Sequence, residues 1–310
     1  MSINISVVVP TFNRVEFISE TINSLCLIPE INEIIIVDDG STIEIDNNFI
    51  KNNTRIVLIR NDSNLGESAS VNIGIQQVTN HLVTIISDDD PQPQNWIPPL
   101  LRMYSKHPTA GVFVPHYLIN ARPEMKSSRK VKPKQYSRAI ITGLLICPAG
   151  PGALINLKAV KVNPLRDENV KYPSDLVQWL RIAEVADFIV VPESVAFWRE
   201  HPNQGVNKFN NLDGIFQYQM SIITWLKNSS IENKERSIVS LFFRIAQLIV
   251  RSKCTLADTY KIYKSYFMTV RKSFKLRPTA VVASFIWVLF HISRIKLKRH
   301  RFNVIKSESV

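Results

Sequence analysis

The chain has 310 residues, 45% of them hydrophobic and 21% charged, which excludes a disordered or low-complexity protein. That length suits a main domain plus an appendage. Cys26, Cys147 and Cys254 are the only cysteines, and none stands in CxxC spacing; this excludes a disulfide framework and points to a reducing compartment. The net charge of +12 is uneven: residues 1–100 hold 4 Lys/Arg against 13 Asp/Glu, and residues 101–310 hold 34 against 13. A basic region of this kind attracts nucleic acid, phosphorylated ligands or anionic lipid, and charge alone does not choose among them. Met1 to Pro10 lacks a basic stretch followed by an apolar one, so no secretory signal is expected.

Strand and helix signals alternate through the first hundred residues. Ile5 to Val9 is a β-branched run ended by Pro10, followed by a helical pattern from about Arg14 to Leu25 with Phe17, Ile18, Ile22 and Leu25 at helical spacing. A second strand, Glu33 to Val37, runs into Asp38-Asp39-Gly40-Ser41. A third covers Arg55 to Arg60 and precedes a turn at Asn64-Leu65-Gly66 and a helix from about Glu67 to Gln77. The fourth, Leu82 to Ile86, ends in Ser87-Asp88-Asp89-Asp90-Pro91. Such alternation predicts a mainly parallel sheet with helices on both faces, and ligands bind such sheets beyond the carboxyl ends of the strands, where each polar cluster falls.

Further on, Val112 to Val114 and Phe188 to Val191 read as strands. Residues 122–138, with seven Lys/Arg and one Glu, read as a basic loop. Ser174 to about Ala186 reads as a helix capped by Ser174, with Leu176, Trp179, Leu180 and Ala183 as its apolar stripe. Residues 212–228, 233–251, 255–272 and about 279–297 carry helical patterns. The predicted division is 1–210, with halves 1–110 and 111–210, and a helical region 211–310. No charged residue lies between Arg277 and Arg294. That gap is about 24 Å of helix, too short to span a bilayer. A basic cluster from Arg294 to Arg301 follows, so 277–301 suits an interfacial helix on anionic lipid, or else a buried helix.

Three adjacent carboxylates repel one another, and a hard cation such as Mg²⁺ or Mn²⁺ relieves that cost; a solvated acidic turn is the plainer alternative. Asp38-Asp39-Gly40-Ser41 offers a carboxylate to a base or ribose, or is an ordinary Asp-Gly turn. Pro10-Thr11-Phe12-Asn13 frames a pocket or starts a helix.

In order and spacing, Val9-Pro10-Thr11-Phe12-Asn13, Ile36 to Thr42, Asn64-Leu65-Gly66 with Asn72-Ile73-Gly74, and Ser87 to Asp90 resemble the family-2 glycosyltransferases with the GT-A fold, over about residues 4–205. The resemblance implies that Pro10, Thr11, Asn13, Asp39, Asn64, Gly66, Asp88 and Asp89 bind the nucleotide-sugar. It makes Asp88-Asp89-Asp90 the DXD-type element, with Asp89, Asp90 and His201 as ligands of a divalent cation (Mg²⁺ or Mn²⁺). Arg199, in Trp198-Arg199-Glu200-His201, matches the family's Arg-x-His element and would meet the phosphates. Ser87 stands where a carboxylate is common, and Val71 where an Arg often precedes Asn72. The catalytic base belongs to an acidic pair opening a helix. In Tyr172 to Arg181 Ser174 replaces the first acid, which leaves Asp175 as the candidate. A helix acid favoured by the macrodipole is the alternative for Asp175.

The implied function is inverting transfer from a nucleotide-sugar to a saccharide, on a lipid-linked acceptor in cell-surface polysaccharide synthesis, on the cytoplasmic face of the membrane. A sugar nucleotidyltransferase is the second reading; Pro10 to Asn13 lacks the glycines expected of it. A non-catalytic basic membrane binder is the third, and it leaves the acidic strand ends unexplained. Nucleic acid is not an expected partner, because the basic residues lack interleaved aromatics.

Overall fold

The computed structural model describes residues 3–43, 45, 53–119, 134–136, 138–145, 149–201, 204, 211–232, 234–252 and 254–274. These fall into two compact units. The first holds residues up to 142 and 146–201; the second holds 143–145 and the chain from 202.

The first unit is built on one sheet. Its strands are β1 (Ile5–Thr11), β2 (Ile31–Asp38), β3 (Ile56–Arg60), β4 (Leu82–Ile85), β5 (Val112–Ile119), β6 (Lys134–Tyr136), β7 (Leu154–Asn156) and β8 (Phe188–Trp198), in the order β3-β2-β1-β4-β7-β5-β8-β6. The pairs β3-β2, β2-β1, β1-β4 and β5-β8 are parallel, while β7 and β6 run against their neighbours. The mainly parallel sheet expected from the alternation is therefore present. The carboxyl ends of β1, β2, β4, β5 and β8 share one edge.

The helices of this unit are α1 (Val15–Cys26), α2 (Glu67–Gln77), α3 (Ile97–Lys106) and α5 (Ser174–Ala183); α4 (Arg138–Leu144) leads into the second unit. Period-two alternation sorts the continuous apolar strands into two faces. Val7 and Val9 of β1 and Ile34 and Ile36 of β2 pack with Ile18, Ile22 and Leu25 of α1 and with Ile97 and Leu100 of α3. Val8, Ile35, Val37 and Val83 form the opposite face with Ile73 of α2. Gly74 sets how closely α2 lies: a Cβ there would stand 2.4 Å from Val8 Cγ1, so a larger residue lifts the helix from the sheet.

Several expectations need correction. Ser174 is the first helical residue of α5 and not its cap; Pro173 holds the cap position, with no side-chain cap bond. Within the segment read as a basic loop, 134–136 forms β6 and Arg138 opens α4. Val112–Val114 extends to Ile119, and Phe188–Val191 extends to Trp198. The second extension was hidden by Pro192: the register runs from Pro115↔Val191 to His116↔Val195, so residues 192–194 bulge out of the pairing. Phe17 does not join the core with Ile18, Ile22 and Leu25.

The second unit contains α6 (Leu212–Asn228), α7 (Lys234–Arg251) and α8 (Leu256–Ser273), close to the predicted helices. Asn211 caps α6, and Thr255 with Asp258 forms a capping box on α8. Phe242 packs against Tyr263 and Tyr266, with ring centroids 5.0 and 5.7 Å away, and the Tyr266 hydroxyl donates to the Ile238 carbonyl at 2.6 Å. Segment 277–301 lies outside the described residues, and among those described no helix is long and apolar enough to cross a membrane.

Candidate active site

The polar cluster grows from the ends of β1, β2, β4 and β8. Pro10 is buried within β1. Thr11, its last residue, donates its hydroxyl to Asp88 Oδ2 at 2.7 Å, and its carbonyl accepts from Asp39 N–H at 2.9 Å. Asn13 adopts a left-handed φ of 53° and accepts at Oδ1 from Thr42 N–H at 2.8 Å, tying the loop after β1 to the loop after β2.

Asp39 is 3% exposed and organises the neighbouring loop. Its Oδ1 accepts from Asn61 Nδ2 at 2.8 Å and from Leu65 N–H at 2.9 Å; its Oδ2 accepts from Gly66 N–H at 2.8 Å. Gly66 caps α2 with φ 93°, a conformation that favours glycine, while Asn64 is exposed at the loop tip. Gly40 has φ 74°, and a Cβ there would meet the Ser63 backbone carbon at 2.7 Å. The Asp-Gly pair is thus required by a close approach of two loops.

The triple aspartate is buried: Asp88 and Asp89 are 3% exposed and Asp90 is 1%. Burial pushes the Asp88 carboxyl up to about 6, against the opposing pull of Arg14 and the Thr11 hydroxyl. Burial likewise pushes Asp90 up to about 7; the Arg199 N–H, which donates to Asp90 Oδ1 at 2.8 Å, opposes this, and Asp89 adds to it. Arg14 lies across the cluster, its Nη1 2.9 Å from Asp88 Oδ1 and 3.0 Å from Asp89 Oδ2. His201 Nε2 stands 2.8 Å from the same Asp89 Oδ2.

Side chains behind the cluster hold it in place. Thr21 donates its hydroxyl to the Asp88 carbonyl at 2.9 Å. Gln92 donates from Nε2 to the carbonyls of Asp90 and Phe197, and its Oε1 accepts from Phe197 N–H, which ties the acidic turn to β8. The Phe17 and His201 rings lie tilted against each other with centroids 4.8 Å apart, and the Arg199 guanidinium sits over the Phe17 ring at 5.6 Å. Arg199 Nη2 also donates to Glu20 Oε2 at 2.7 Å.

Asp175 is the second residue of α5, with Oδ1 2.8 Å from Leu176 N–H. It meets solvent, yet the protein around it desolvates it enough to raise its carboxyl above the usual range, with Arg166 opposing. Arg166 pairs with Glu67, the first residue of α2, at 2.5 Å. Arg166, with Arg14 as a smaller influence, holds the Glu67 carboxyl below its ordinary range. Sequence reasoning missed Arg14, Glu67 and Arg166. Arg14 was visible as the basic residue that begins α1, but the 99 residues between Glu67 and Arg166 leave no local signal.

Among the described residues no group of three His, Cys, Asp or Glu side chains closes into a metal cage. The donors nevertheless fit a cation shared with a substrate. Two ligands at adjacent octahedral positions about 2.1 Å from Mg²⁺ stand about 3 Å apart, near the separation of Asp89 Oδ2 and His201 Nε2. Mg²⁺ commonly takes one or two carboxylates and completes its shell with phosphates and water. Burial is the chief cause of the raised carboxyls of Asp88 and Asp90, and at Asp88 the Arg14 guanidinium opposes it.

A glycosyltransferase GlyG of Streptococcus pneumoniae is 31% identical over 121 residues, 38% of this chain and 40% of that protein. An uncharacterized glycosyltransferase of Haemophilus influenzae is 35% identical over 91 residues, 28% of this chain and 36% of that one. This chain thus spans less than half the length of either relative. Crystal structures of S. aureus TarS 1-349, one of them in complex with UDP-GlcNAc, superpose with a TM-score of 0.67 at 17% identity, covering 91% of this chain and 83–84% of TarS 1-349. The shared fold is the GT-A fold. The model of glycosyl transferase family 2 matches residues 6–162, just over half of the sequence, and the chain belongs to that family.

Proposed function

We propose that this protein is an inverting glycosyltransferase that moves a sugar from a nucleoside-diphosphate donor to a hydroxyl of a saccharide acceptor carried on a lipid, in cell-surface polysaccharide synthesis. The observation that carries the reading is the common edge of the sheet. There Thr11, Asp39 and the buried triple aspartate lie together, with Arg14 and His201 both against Asp89. Family membership favours transfer to a saccharide over nucleotide-sugar synthesis or simple lipid binding.

Thr11, Asn13, Asp39, Asn64 and Gly66 frame the base and ribose. Asp88 and Asp89 face the ribose and diphosphate, and Arg199 adds positive charge at the same edge. Asp89, Asp90 and His201 would hold a divalent cation, which neutralises charge on the departing diphosphate. Asp175 accepts the proton of the acceptor hydroxyl as that oxygen bonds to the anomeric carbon and the bond to the diphosphate breaks. Attack opposite the leaving group inverts the anomeric centre. A nucleoside diphosphate leaves, and Asp175 returns its proton to solvent.

The test is a thermal-shift screen against nucleoside diphosphates and nucleotide-sugars, with and without Mn²⁺, starting with UDP and UDP-GlcNAc because TarS was crystallised with them. A stabilisation that requires metal is expected; at about 100 times Kd, ligand linkage contributes about 2.7 kcal/mol. A folded protein that responds to none of them rules out a donor site at the triple aspartate.

The basic, apolar segment 277–301 is proposed to rest on anionic lipid at the cytoplasmic face. Flotation with phosphatidylglycerol vesicles should recover the full chain and lose the chain lacking 277–310. Equal recovery of both would place the anchor elsewhere.

A further inference from the structure

Two aromatic side chains stand at the carboxyl edge of the sheet and take no part in the site described above. β7 pairs with β5 only at Val112 and Phe113, while β5 runs on to Ile119 beside β8. In this extension Tyr117 is level with Ala196 and Ile119 with Trp198, so these four side chains share one face. The Tyr117 and Trp198 rings meet edge to face, with centroids 6.0 Å apart and planes at 80°. Gly150, in the loop before β7, closes against them. A Cβ there would lie 3.1 Å from Tyr117 Cδ1, so a side chain at 150 would crowd the ring.

This aromatic wall is fixed to the acidic turn through its backbone. Phe197, before Trp198, exchanges two hydrogen bonds with Gln92, which also binds the Asp90 carbonyl. Arg199, after it, donates its N–H to Asp90 Oδ1 at 2.8 Å. The Trp198 Cα is one carbonyl carbon away from that nitrogen, and so lies within about 6 Å of the Asp90 carboxylate. All these residues belong to the first unit.

Tyr117 is 42% exposed, Ile119 is 48% exposed, and Trp198 is half-buried. Covering such side chains would stabilise the sheet, yet they face water next to a row of carboxylates. An exposed apolar patch rimmed by polar groups marks a binding surface. Tyr117, Ile119, Trp198, Ala196 and Gly150 carry no charge, although the chain as a whole stands at +12. The chemistry that fits this wall beside a sugar-transfer site is a neutral pyranose. One face of a pyranose presents C–H groups, which pack on the electron-rich face of an aromatic ring, while its hydroxyls stay at the rim for water and polar groups. An anionic sugar or a polyol phosphate would have to shed water against uncharged side chains close to Asp90.

Resting on the reading of the chain as a glycosyltransferase, we infer that Tyr117 and Trp198 form the subsite for the terminal sugar of the acceptor, and that this sugar is an uncharged pyranose. The experiment is saturation-transfer difference NMR on the full chain. The probes are methyl β-glucopyranoside, methyl β-galactopyranoside, methyl β-N-acetylglucosaminide and methyl β-glucuronide. At least one of the neutral glycosides should receive saturation at its ring C–H protons, and the glucuronide should receive little. Tyr117→Ala and Trp198→Ala should each raise the Kd of the bound glycoside by about tenfold, and Trp198→Phe by less. Tyr117 is exposed enough that its truncation leaves a folded protein even if Trp198→Ala does not. Binding of none of the neutral glycosides, an unchanged Kd in folded Tyr117→Ala, or preference for the glucuronide overturns the inference. So does displacement of the glycoside by the nucleotide-sugar that stabilises the protein, which would give the wall to the donor. The two readings fail separately. A protein that responds to no nucleotide loses the donor site with its glycoside binding untouched, and one that shifts with nucleotide but binds no glycoside loses only the acceptor wall.

Discussion

Asp175→Asn should lower sugar transfer by about 10²–10⁴-fold and leave donor binding unchanged. Asparagine has nearly the same shape and keeps an oxygen for the Leu176 N–H, so α5 loses no backbone partner. The change removes only the capacity to take a proton. Asp175 carries one negative charge at the start of α5, and its loss there costs about 0.3–1 kcal/mol, the contribution of an exposed first-turn acid. Donor affinity should persist because the triple aspartate and Asp39 stand on other elements of the sheet edge. The measurement pairs release of nucleoside diphosphate during transfer with the metal-dependent thermal shift. Retained turnover would return Asp175 to the role of a helix acid.

Asp89→Ala should abolish the Mn²⁺-dependent shift and reduce transfer by at least about 100-fold. Asp89 Oδ2 is reached by both Arg14 and His201, so its removal unties both side chains from the cluster. The free protein should not unfold. Asp89 raises the carboxyls of Asp88 and Asp90, so its loss relieves repulsion inside a buried group, and Arg14 keeps Asp88. The expected result is an unliganded Tm equal to or above that of the parent, together with lost binding, as when charges are kept for function against stability. A variant that still shows the full metal-dependent shift would move the cation away from Asp89.

Much of the first hundred residues was legible because the signals there are local. Ile5 to Val9 and Glu33 to Val37 are β-branched runs that suit nothing but buried strands, and each stops at a polar cluster. The predicted α2, Glu67 to Gln77, coincides with the helix observed. Strand ends of a parallel sheet necessarily meet at one edge, so Thr11, Asp39 and Asp88–Asp90 could be placed together before any coordinate was known.

Other features had no local signature. β7 is three residues long, and only its pairing with β4 and β5 makes it a strand. The bulge at 192–194 depends on β5 lying alongside β8. The Asp39 carboxylate accepts three hydrogen bonds that shape the Asn61–Gly66 loop, a role that its neighbours in sequence do not signal. Phe17 has the spacing of a core residue, yet the return of the chain at Arg199 and His201 makes its ring a partner of both instead.

Periodicity and β-branching therefore establish the sheet and the common edge where the acidic strand ends meet, while the family was read from the resemblance of the motifs. Those properties act between residues a few positions apart, and a single chain displays them directly. The Arg14 bridge, the Glu67–Arg166 pair and the Gln92 tie exist only after folding joins segments about 70 to 105 residues apart. Burial then shifts the Asp88 and Asp90 carboxyls upward, because ionisation depends on the surrounding protein that removes water and not on the neighbours in sequence.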